Sequence, residues 1–196
     1  MPSQSVLLFD LGGVLIENVT FEELPKLLPG DQSTPLQDRW LASTSVQEFE
    51  RGAIDARDFA ASFVAEWSLL ITPEEFIDAF SRWPKGPYEG AIDMLAALGR
   101  RHRIAFLSNC NSIHWARLSN VLCHADDAFS SHLCGLVKPD PAIFDHVIDQ
   151  LGVTPQSIYF FDDSLKNVEA ARIAGMNAYQ TVGFSALKQQ IGSLGF

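Results

Sequence analysis

Polar side chains that could take part in chemistry stand directly after three short apolar runs of this sequence. The runs are residues 5–9 (SVLLF), 103–107 (RIAFL) and 157–161 (SIYFF), and the polar residues that follow them are Asp10, Ser108, Asn109, Asp162 and Asp163. Apolar runs of this length, ended by glycine or polar residues, are typical of buried strands in a parallel sheet. Because the carboxyl ends of parallel strands meet at one edge of the sheet, we expect these side chains to gather there.

The residue types at this predicted edge suit a phosphate and a divalent cation. The carboxylate of Asp10 is a possible nucleophile, and Ser108 with Asn109 could hold phosphoryl oxygens. Lys138 lies between the second and third runs and would offset developing negative charge. The adjacent carboxylates after the third run are the hard oxygen ligands that Mg²⁺ prefers.

Each of these residues also has a structural explanation. A single lysine is usually a solvated surface residue, a Ser-Asn pair is common in turns, and paired acids favour the first turn of a helix. The order of all these residues at the ends of successive predicted strands favours a shared site over these separate explanations.

Composition and charge limit the classes of function. The 196 residues are 47% hydrophobic and 19% charged, which predicts one folded unit with room for a small inserted module. The net charge of -10 disfavours nucleic acid and anionic membranes as partners, and no apolar stretch is long enough to span a bilayer. Three cysteines without a disulfide spacing favour a reduced, cytoplasmic protein.

Strands and helices alternate from about residue 88 to the end of the chain. Asp140 and Pro141 predict a helix start and Gly152 its end, while Ser164 is expected to cap a helix that runs to Gly175. This alternation predicts an α/β fold, a Rossmann-like parallel sheet covered by helices on both faces. We assign residues 1–16 and 86–196 to this core.

Residues 17–85 show several helix starts and no convincing strand, so we expect an all-helical cap inserted into the core. Capping-box patterns occur at Thr20 with Glu23 and at Thr72 with Glu75, and Asp55 is a further expected N-cap. An insert placed directly after the first strand would lie above the edge of the sheet that carries the site, where it could act as a lid.

Four segments of the sequence together resemble the motifs of the haloacid dehalogenase (HAD) superfamily. They are FDLGGVL at 9–15, LSNCN at 107–111, KPDPAIF at 138–144 and FFDDSLKNVEAA at 160–171. Nearly the whole chain takes part in the resemblance. Within the superfamily the chain is similar to the branch of sugar-phosphate phosphatases with a small helical cap, to which the glucose-1-phosphate phosphatases belong.

The resemblance implies a role for each matched residue. Asp10 would attack phosphorus and form an aspartyl-phosphate that water hydrolyses. Ser108, Asn109 and Lys138 would bind the phosphoryl group. Lys138 would also neutralise charge and orient Asp10. The remaining implied roles concern a Mg²⁺ cofactor, for which the expected ligands are Asp10, Asp163 and the carbonyl oxygen of Gly12, with Asp162 and Asn167 in support.

Gly12 departs from the pattern that is common among phosphatases of the superfamily, although the branch of glucose-1-phosphate phosphatases resembles this chain in having a glycine there. Many phosphatases of the superfamily carry an aspartate two residues after the nucleophile, which protonates the leaving group and later activates water. Loss of a general acid costs roughly 10²–10⁴ in rate. The substrate could have a good leaving group, the cap or a water could supply the proton, or catalysis could have been lost.

Three functions therefore follow as hypotheses. The first is a magnesium-dependent phosphatase that acts on a small phosphorylated metabolite, for example a sugar phosphate. The second is a 2-haloacid dehalogenase, whose members carry a tyrosine in place of Gly12 and do without the metal carboxylates. The third is a non-catalytic protein that binds a phosphorylated ligand. The sequence gives no prediction of oligomeric state.

Overall fold

A parallel sheet forms the centre of the computed structural model, which describes residues 5–30 and 35–196. The five strands of this sheet in the described residues are β1 (Val6–Phe9), β4 (Arg103–Ser108), β5 (Asp127–Ser130), β6 (Ile158–Asp162) and β7 (Asn177–Gln180). Their order is β5-β4-β1-β6-β7, and every neighbouring pair is parallel. The three strands predicted from apolar runs are therefore adjacent, with β1 in the middle.

Helices cover both faces of the sheet, which confirms the predicted fold class. Along β1, Leu7 and Phe9 belong to one hydrophobic cluster, whereas Val6 and Leu8 belong to the other, as expected from the two-residue period of a strand. The first cluster includes side chains of α6 (Ala91–Leu98), α8 (Ser119–Leu122) and α12 (Gly183–Leu194), and the second those of α10 (Pro141–Leu151) and α11 (Leu165–Ile173).

The helix ends of the core agree with most of the predicted caps. The Asp140 side chain accepts a hydrogen bond from the Ala142 N–H, and Gly152 ends α10 in the left-handed conformation. Ser164 precedes α11 as predicted, but its hydroxyl makes no capping hydrogen bond. Its backbone N–H instead donates to Asp162 Oδ1 over 2.9 Å, so the preceding carboxylate organises the turn into this helix.

Helices fill most of the chain between β1 and α6. They are α1 (Thr20–Glu23), a 3-10 helix (Leu24–Leu27), α2 (Leu36–Ala42), α3 (Thr44–Glu50), α4 (Ala56–Trp67) and α5 (Pro73–Phe80). Their apolar side chains form a third hydrophobic cluster, which contains stacked rings such as Phe49 and Phe59 with centroids 4.2 Å apart. The assignment of residues 17–85 to a separate cap remains a prediction.

Two short strands, which the sequence analysis did not anticipate, border this helical segment. β2 (Ile16–Asn18) pairs antiparallel with β3 (Pro84–Pro87). Strands this short show no alternation of apolar and polar residues, and prolines are unfavourable in most strands, so the sequence carried little signal for them.

The predicted caps of the helical segment have mixed outcomes. Thr72 and Glu75 form the predicted capping box, and Asp55 caps α4 by accepting two backbone hydrogen bonds. The predicted cap at Thr20 is wrong because Thr20 is already the first residue of α1. Its N–H and hydroxyl both donate to Asn18 Oδ1, over 3.1 and 2.7 Å.

Three short helices complete the described elements of the core, apart from a 3-10 helix (Pro155–Ser157). They are α7 (Ser112–Trp115), α8 as given above, and α9 (Ser131–Cys134). None of the helices within residues 5–30 and 35–196 has the length and apolar character that a membrane span requires.

Candidate active site

The predicted site residues converge at the carboxyl ends of β1, β4 and β6. The carboxylate oxygens of Asp10, Asp162 and Asp163 come within 4.8 Å of one another. A cavity of about 280 Å³ adjoins them, lined by Asp10, Gly12, Gly13, Asn18, Thr20, Phe21, Ser108, Asn109, Lys138, Asp163 and Asn167. Every predicted site residue lines this cavity except Asp162, which is fully buried beside it.

Asp10 is held at the floor of the cavity with only 8% of its surface exposed. Its backbone N–H donates to the Phe161 carbonyl, which extends the β1–β6 pairing, and its Oδ1 accepts from the Leu11 N–H over 2.7 Å. Burial raises the pKa of Asp10 to about 7, and the neighbouring Asp162 and Asp163 add to the rise while Lys138 opposes it. A bound cation would favour the carboxylate form.

Lys138 is the buried cation of the site, not a solvated surface lysine. Its Nζ lies 2.6 Å from Asp162 Oδ2 and 3.1 Å from Asp10 Oδ1, and it donates to the Leu107 carbonyl over 2.9 Å. Burial by itself would lower the pKa of Lys138, but the attraction of the two carboxylates outweighs it and the pKa is raised. All three ammonium protons thus have acceptors, which supports the orienting role of Lys138 more than direct contact with a phosphoryl group.

Asp162 is surrounded by donors. Its two oxygens accept hydrogen bonds from Lys138 Nζ, Asn167 Nδ2 and the Ser164 N–H, over 2.6 to 3.1 Å. A carboxylate with its lone pairs used in this way is poorly placed to bind an ion directly. The geometry therefore fits the predicted supporting role of Asp162 and Asn167.

Asn109 is placed differently from the expectation that it binds phosphate. Its Nδ2 donates to the Lys138 carbonyl and its Oδ1 accepts from the Lys138 N–H, both over 2.8 Å. Both ends of the amide thus hold the backbone that carries Lys138. By contrast, the hydroxyl of Ser108 has no protein hydrogen-bond partner in the described part of the chain, although the residue is buried at the cavity wall. The structure leaves Ser108 the better candidate for a phosphoryl oxygen.

Gly13 allows Asp163 to approach the loop after β1. Its φ is +73°, and a Cβ at this position would collide with Asp163 Oδ2. Gly13 belongs to the matched segment FDLGGVL, but no role was predicted for it. Burial and the charge of Asp162 raise the pKa of Asp163, and Lys138 lowers it.

The carboxylates at this edge fit a magnesium ion. Within the described residues, both protein contacts of the Asp10 carboxylate use Oδ1, so Oδ2 has no protein partner. Burial and mutual repulsion hold the pKa values of Asp10 and Asp163 above their usual range, and a divalent cation between them would relieve that repulsion. Mg²⁺ prefers carboxylate and carbonyl oxygens of this kind.

A second cavity, of about 400 Å³, adjoins the first and was not predicted. Its walls are Trp40, Leu41, Val46, Gln47, Glu50 and Arg51 from the helical segment and Asn109, Val137, Lys138 and Pro139 from the core. Asn109 and Lys138 line both cavities. Glu50 carried no sequence signal, because it is one of several glutamates on helices and only its surroundings distinguish it.

His114, to which the sequence analysis gave no role, has a structural one. Its Nε2 donates to the Phe80 carbonyl over 2.8 Å, and its Nδ1 lies 3.2 Å from Asn111 Nδ2. Burial lowers the pKa of His114 to about 4, so the ring is neutral at physiological pH. The contact joins α7 of the core to the end of α5.

Comparisons with known proteins show which family this sequence belongs to. The sequence model of haloacid dehalogenase-like hydrolases matches residues 5–175. A phosphatase of Mycobacterium tuberculosis is 39% identical over 189 residues, which cover 90% of this chain and 87% of the relative. D-ribitol-5-phosphate phosphatase of Bacteroides thetaiotaomicron is 25% identical over 199 residues, with coverage of 94% and 95%.

A solved structure shares the fold. It is a HAD family enzyme of Bacteroides thetaiotaomicron in complex with magnesium and inorganic phosphate, with a TM-score of 0.77 and 24% identity. The similarity covers 91% of this chain and 94% of that one. Since the family match spans most of the sequence, the chain belongs to the haloacid dehalogenase-like hydrolase family.

Proposed function

We propose that this hydrolase is a magnesium-dependent phosphatase that acts on a small phosphorylated metabolite through an aspartyl-phosphate on Asp10. The observation that carries the proposal is the geometry of Asp10. Its Oδ1 is fixed by Lys138 and the Leu11 N–H, whereas no protein contact of Oδ2 is found in the described residues, and Asp10 lines the cavity. An oriented carboxylate of this kind suits attack on phosphorus.

The remaining residues have supporting roles in this proposal. Lys138 holds Asp10 in position, and Asn109 in turn holds the backbone of Lys138. The Ser108 hydroxyl binds an oxygen of the phosphoryl group. Asp10, Asp163 and the carbonyl oxygen of Gly12 would hold Mg²⁺. When bound, the ion neutralises phosphoryl oxygens and favours the ionised form of Asp10.

The relatives support a phosphate ester as the substrate. D-ribitol-5-phosphate phosphatase acts, by its name, on a small sugar-alcohol phosphate, and the neighbour of known structure was solved with magnesium and phosphate. The two adjoining cavities, of about 280 and 400 Å³, suit a small molecule. The net charge of -10 disfavours a polynucleotide substrate.

The acids of the site favour a phosphatase over a 2-haloacid dehalogenase. A dehalogenase attacks carbon and has no need for Asp163 beside Asp10, whereas a metal-assisted phosphatase does. Residues 17–85 are proposed to act as the cap of the enzyme, because residues of α2 and α3 form one wall of the larger cavity.

The nucleophile is tested with Asp10→Asn, which keeps the shape of the side chain. Phosphate release from a panel of sugar and alcohol phosphates with Mg²⁺ should fall at least about 10³-fold relative to wild type. Asp149→Asn, on the exposed face of α10, serves as the control and should leave the rate unchanged. An acid quench of the wild type during turnover should reveal a phosphoryl adduct on Asp10 by mass spectrometry. Equal activity of the wild type and Asp10→Asn would refute the proposal.

A further inference from the structure

The leaving group of the proposed reaction needs a proton, and the residues around Asp10 do not provide one. Gly12 has no side chain, and the protons of Lys138 are engaged by three acceptors. Asp162 accepts hydrogen bonds from three groups, and Asp163 is a proposed ligand of the cation. Of the proton sources that Gly12 leaves open, a side chain of the helical segment is the one that the described residues can supply.

We propose that Glu50, at the end of α3, is the catalytic residue that protonates the leaving oxygen. This inference rests on the proposed phosphatase function and adds a residue to it. Glu50 lines the larger cavity together with Lys138 and Asn109, and these two residues also line the cavity that contains Asp10. An ester whose phosphoryl group sits at Asp10 would extend its alcohol portion into the larger cavity, beside Glu50.

Glu50 lies where the helical segment meets the core. The cavity that Glu50 lines is also lined by Trp40, whose indole N–H acts to lower the pKa of the Glu50 carboxyl. Two residues further on, Gly52 lies against the carbonyl oxygen of His132 in α9, with a φ of +71° and no space for a Cβ. The end of α3 therefore packs directly on the core.

The surroundings of Glu50 keep a substantial fraction of its carboxyl protonated at neutral pH. Burial raises the pKa of Glu50 to about 7, with a contribution from the charge of Asp10, whereas Lys138 and the Trp40 N–H lower it. Arg51 lines the same cavity, and Cys110 is a further titratable group near Glu50; burial raises the pKa of this thiol to about 12, so it stays neutral. A pKa near the working pH suits a group that must both give and take a proton.

The proposed first step transfers the phosphoryl group from the ester oxygen to Asp10. Asp10 Oδ2 forms a bond to phosphorus while the bond from phosphorus to the ester oxygen breaks, and the proton of Glu50 moves to that oxygen. The products are an alcohol, the aspartyl-phosphate and the Glu50 carboxylate. After the alcohol leaves, a water oxygen forms a bond to phosphorus, the bond from phosphorus to Asp10 Oδ2 breaks, and the Glu50 carboxylate takes a proton from that water. Inorganic phosphate is released, Asp10 returns as the carboxylate and Glu50 as the acid.

The test compares leaving groups in Glu50→Gln. For an alkyl phosphate, which needs protonation, kcat/KM should fall about 10²-fold. For p-nitrophenyl phosphate, whose leaving group is stable as an anion, kcat/KM should change less than about threefold. The kcat for p-nitrophenyl phosphate should nevertheless fall, with a burst of nitrophenol, because hydrolysis of the aspartyl-phosphate also uses Glu50. Glu48→Gln, on the exposed face of the same helix, is the matched control and should resemble wild type with both esters.

The outcomes separate this proposal from the proposed function. An equal loss with both esters would mean that Glu50 only maintains the structure, and no loss with either would mean that it has no part in the reaction; both results overturn the proposal. Thermal unfolding and binding of inorganic phosphate by Glu50→Gln show whether its site is intact. If Asp10→Asn kept wild-type activity, the phosphatase mechanism itself would fail, whatever the result at Glu50.

Discussion

Gly12 stands where the resemblance to the superfamily leads one to expect an acid, and the structure leaves room there for a Cβ. Its φ lies outside the left-handed region, and a Cβ would meet Asn18 Nδ2 at 3.8 Å, an ordinary contact. Nothing in the backbone therefore demands glycine. The absence of an acid at this position fits a site in which another residue, Glu50, provides the proton.

An acidic side chain at position 12 should therefore be able to donate the proton in place of Glu50. In the Glu50→Gln background, Gly12→Asp is expected to raise kcat/KM for an alkyl phosphate at least about tenfold, because it returns a general acid to the site. In the wild type the same change should have a smaller effect, since an acid is already present. Steady-state kinetics of the single and double variants measure this coupling.

Gly12→Asn is the control for the rescue, because it has nearly the shape of aspartate and no acidic proton. A rescue by Gly12→Asn equal to that by Gly12→Asp would contradict proton donation. So would a double variant that remains as slow as Glu50→Gln.

The sequence was sufficient to predict residues that stand at strand ends. Asp10 and Asp163 follow apolar runs, and parallel pairing brings the ends of those runs together. It was not sufficient for Asn109, since a turn residue with an amide can bind a ligand or a backbone equally well, and here both amide ends hold Lys138. Glu50 was missed because its environment depends on how the helices pack against the core.

At the scale of elements, the joint between α5 and α7 depends on one neutral histidine. Phe80 closes α5 and its carbonyl accepts from His114 Nε2, and the two rings lie with centroids 4.1 Å apart. Ile113, from the same short helix of the core, packs against the hydrophobic cluster of the helical segment. The helical segment and the core are thus joined here by a buried hydrogen bond within an apolar contact.

Removal of this hydrogen bond should destabilise the protein. His114→Leu keeps an apolar side chain but leaves the Phe80 carbonyl without a donor, so we expect the free energy of unfolding to fall by about 1–3 kcal/mol. Urea denaturation monitored by tryptophan fluorescence measures the change. His124→Leu, at a partly exposed position, is the control and should change stability by less than about 0.5 kcal/mol. An unchanged stability of His114→Leu would show that the joint does not depend on this contact.

Elements with long regular patterns were predicted better than short ones. The α10 helix has its apolar face, its Asp140 cap and its terminal Gly152, and all three are found in the structure. Strand β2 has three residues, and β3 has four, of which two are prolines. Neither strand has a sequence pattern of its own that predicts it. Local sequence predicts poorly where tertiary contacts decide.

Across the whole molecule, which carries a net negative charge, several carboxyl groups are concentrated around the two adjoining cavities. The net charge is -10, and burial raises the pKa values of Asp10 and Glu50 to about 7. Their usual values are 3.8 and 4.5, so the folded state holds these protons more tightly than the unfolded chain does. The stability that this provides is present at low pH and is lost as the pH rises through about 7.

Metal-free protein should therefore become less stable between pH 5.5 and 8, by roughly 2 kcal/mol or more. Saturating Mg²⁺ should reduce this loss, because the ion binds the ionised carboxylates of the folded state. Urea denaturation at both pH values, with chelator or with Mg²⁺, tests the expectation. Asp163→Asn lacks a proposed ligand and should lose most of the effect of Mg²⁺. A pH dependence that is the same with and without the ion in the wild type would contradict the proposed metal site.

The pairing of β2 with β3 has a consequence for how such an enzyme diversifies. Glu17 lies opposite Gly86 in this separate two-stranded sheet, so the chain enters and leaves the helical segment at neighbouring points. The residues between these points form one continuous stretch, and Asp10, Asp162 and Asp163 lie outside it. Exchange of that stretch as a unit would replace one wall of the larger cavity together with Glu50, the proposed proton donor, while the proposed phosphate-binding residues at the sheet edge would stay unchanged.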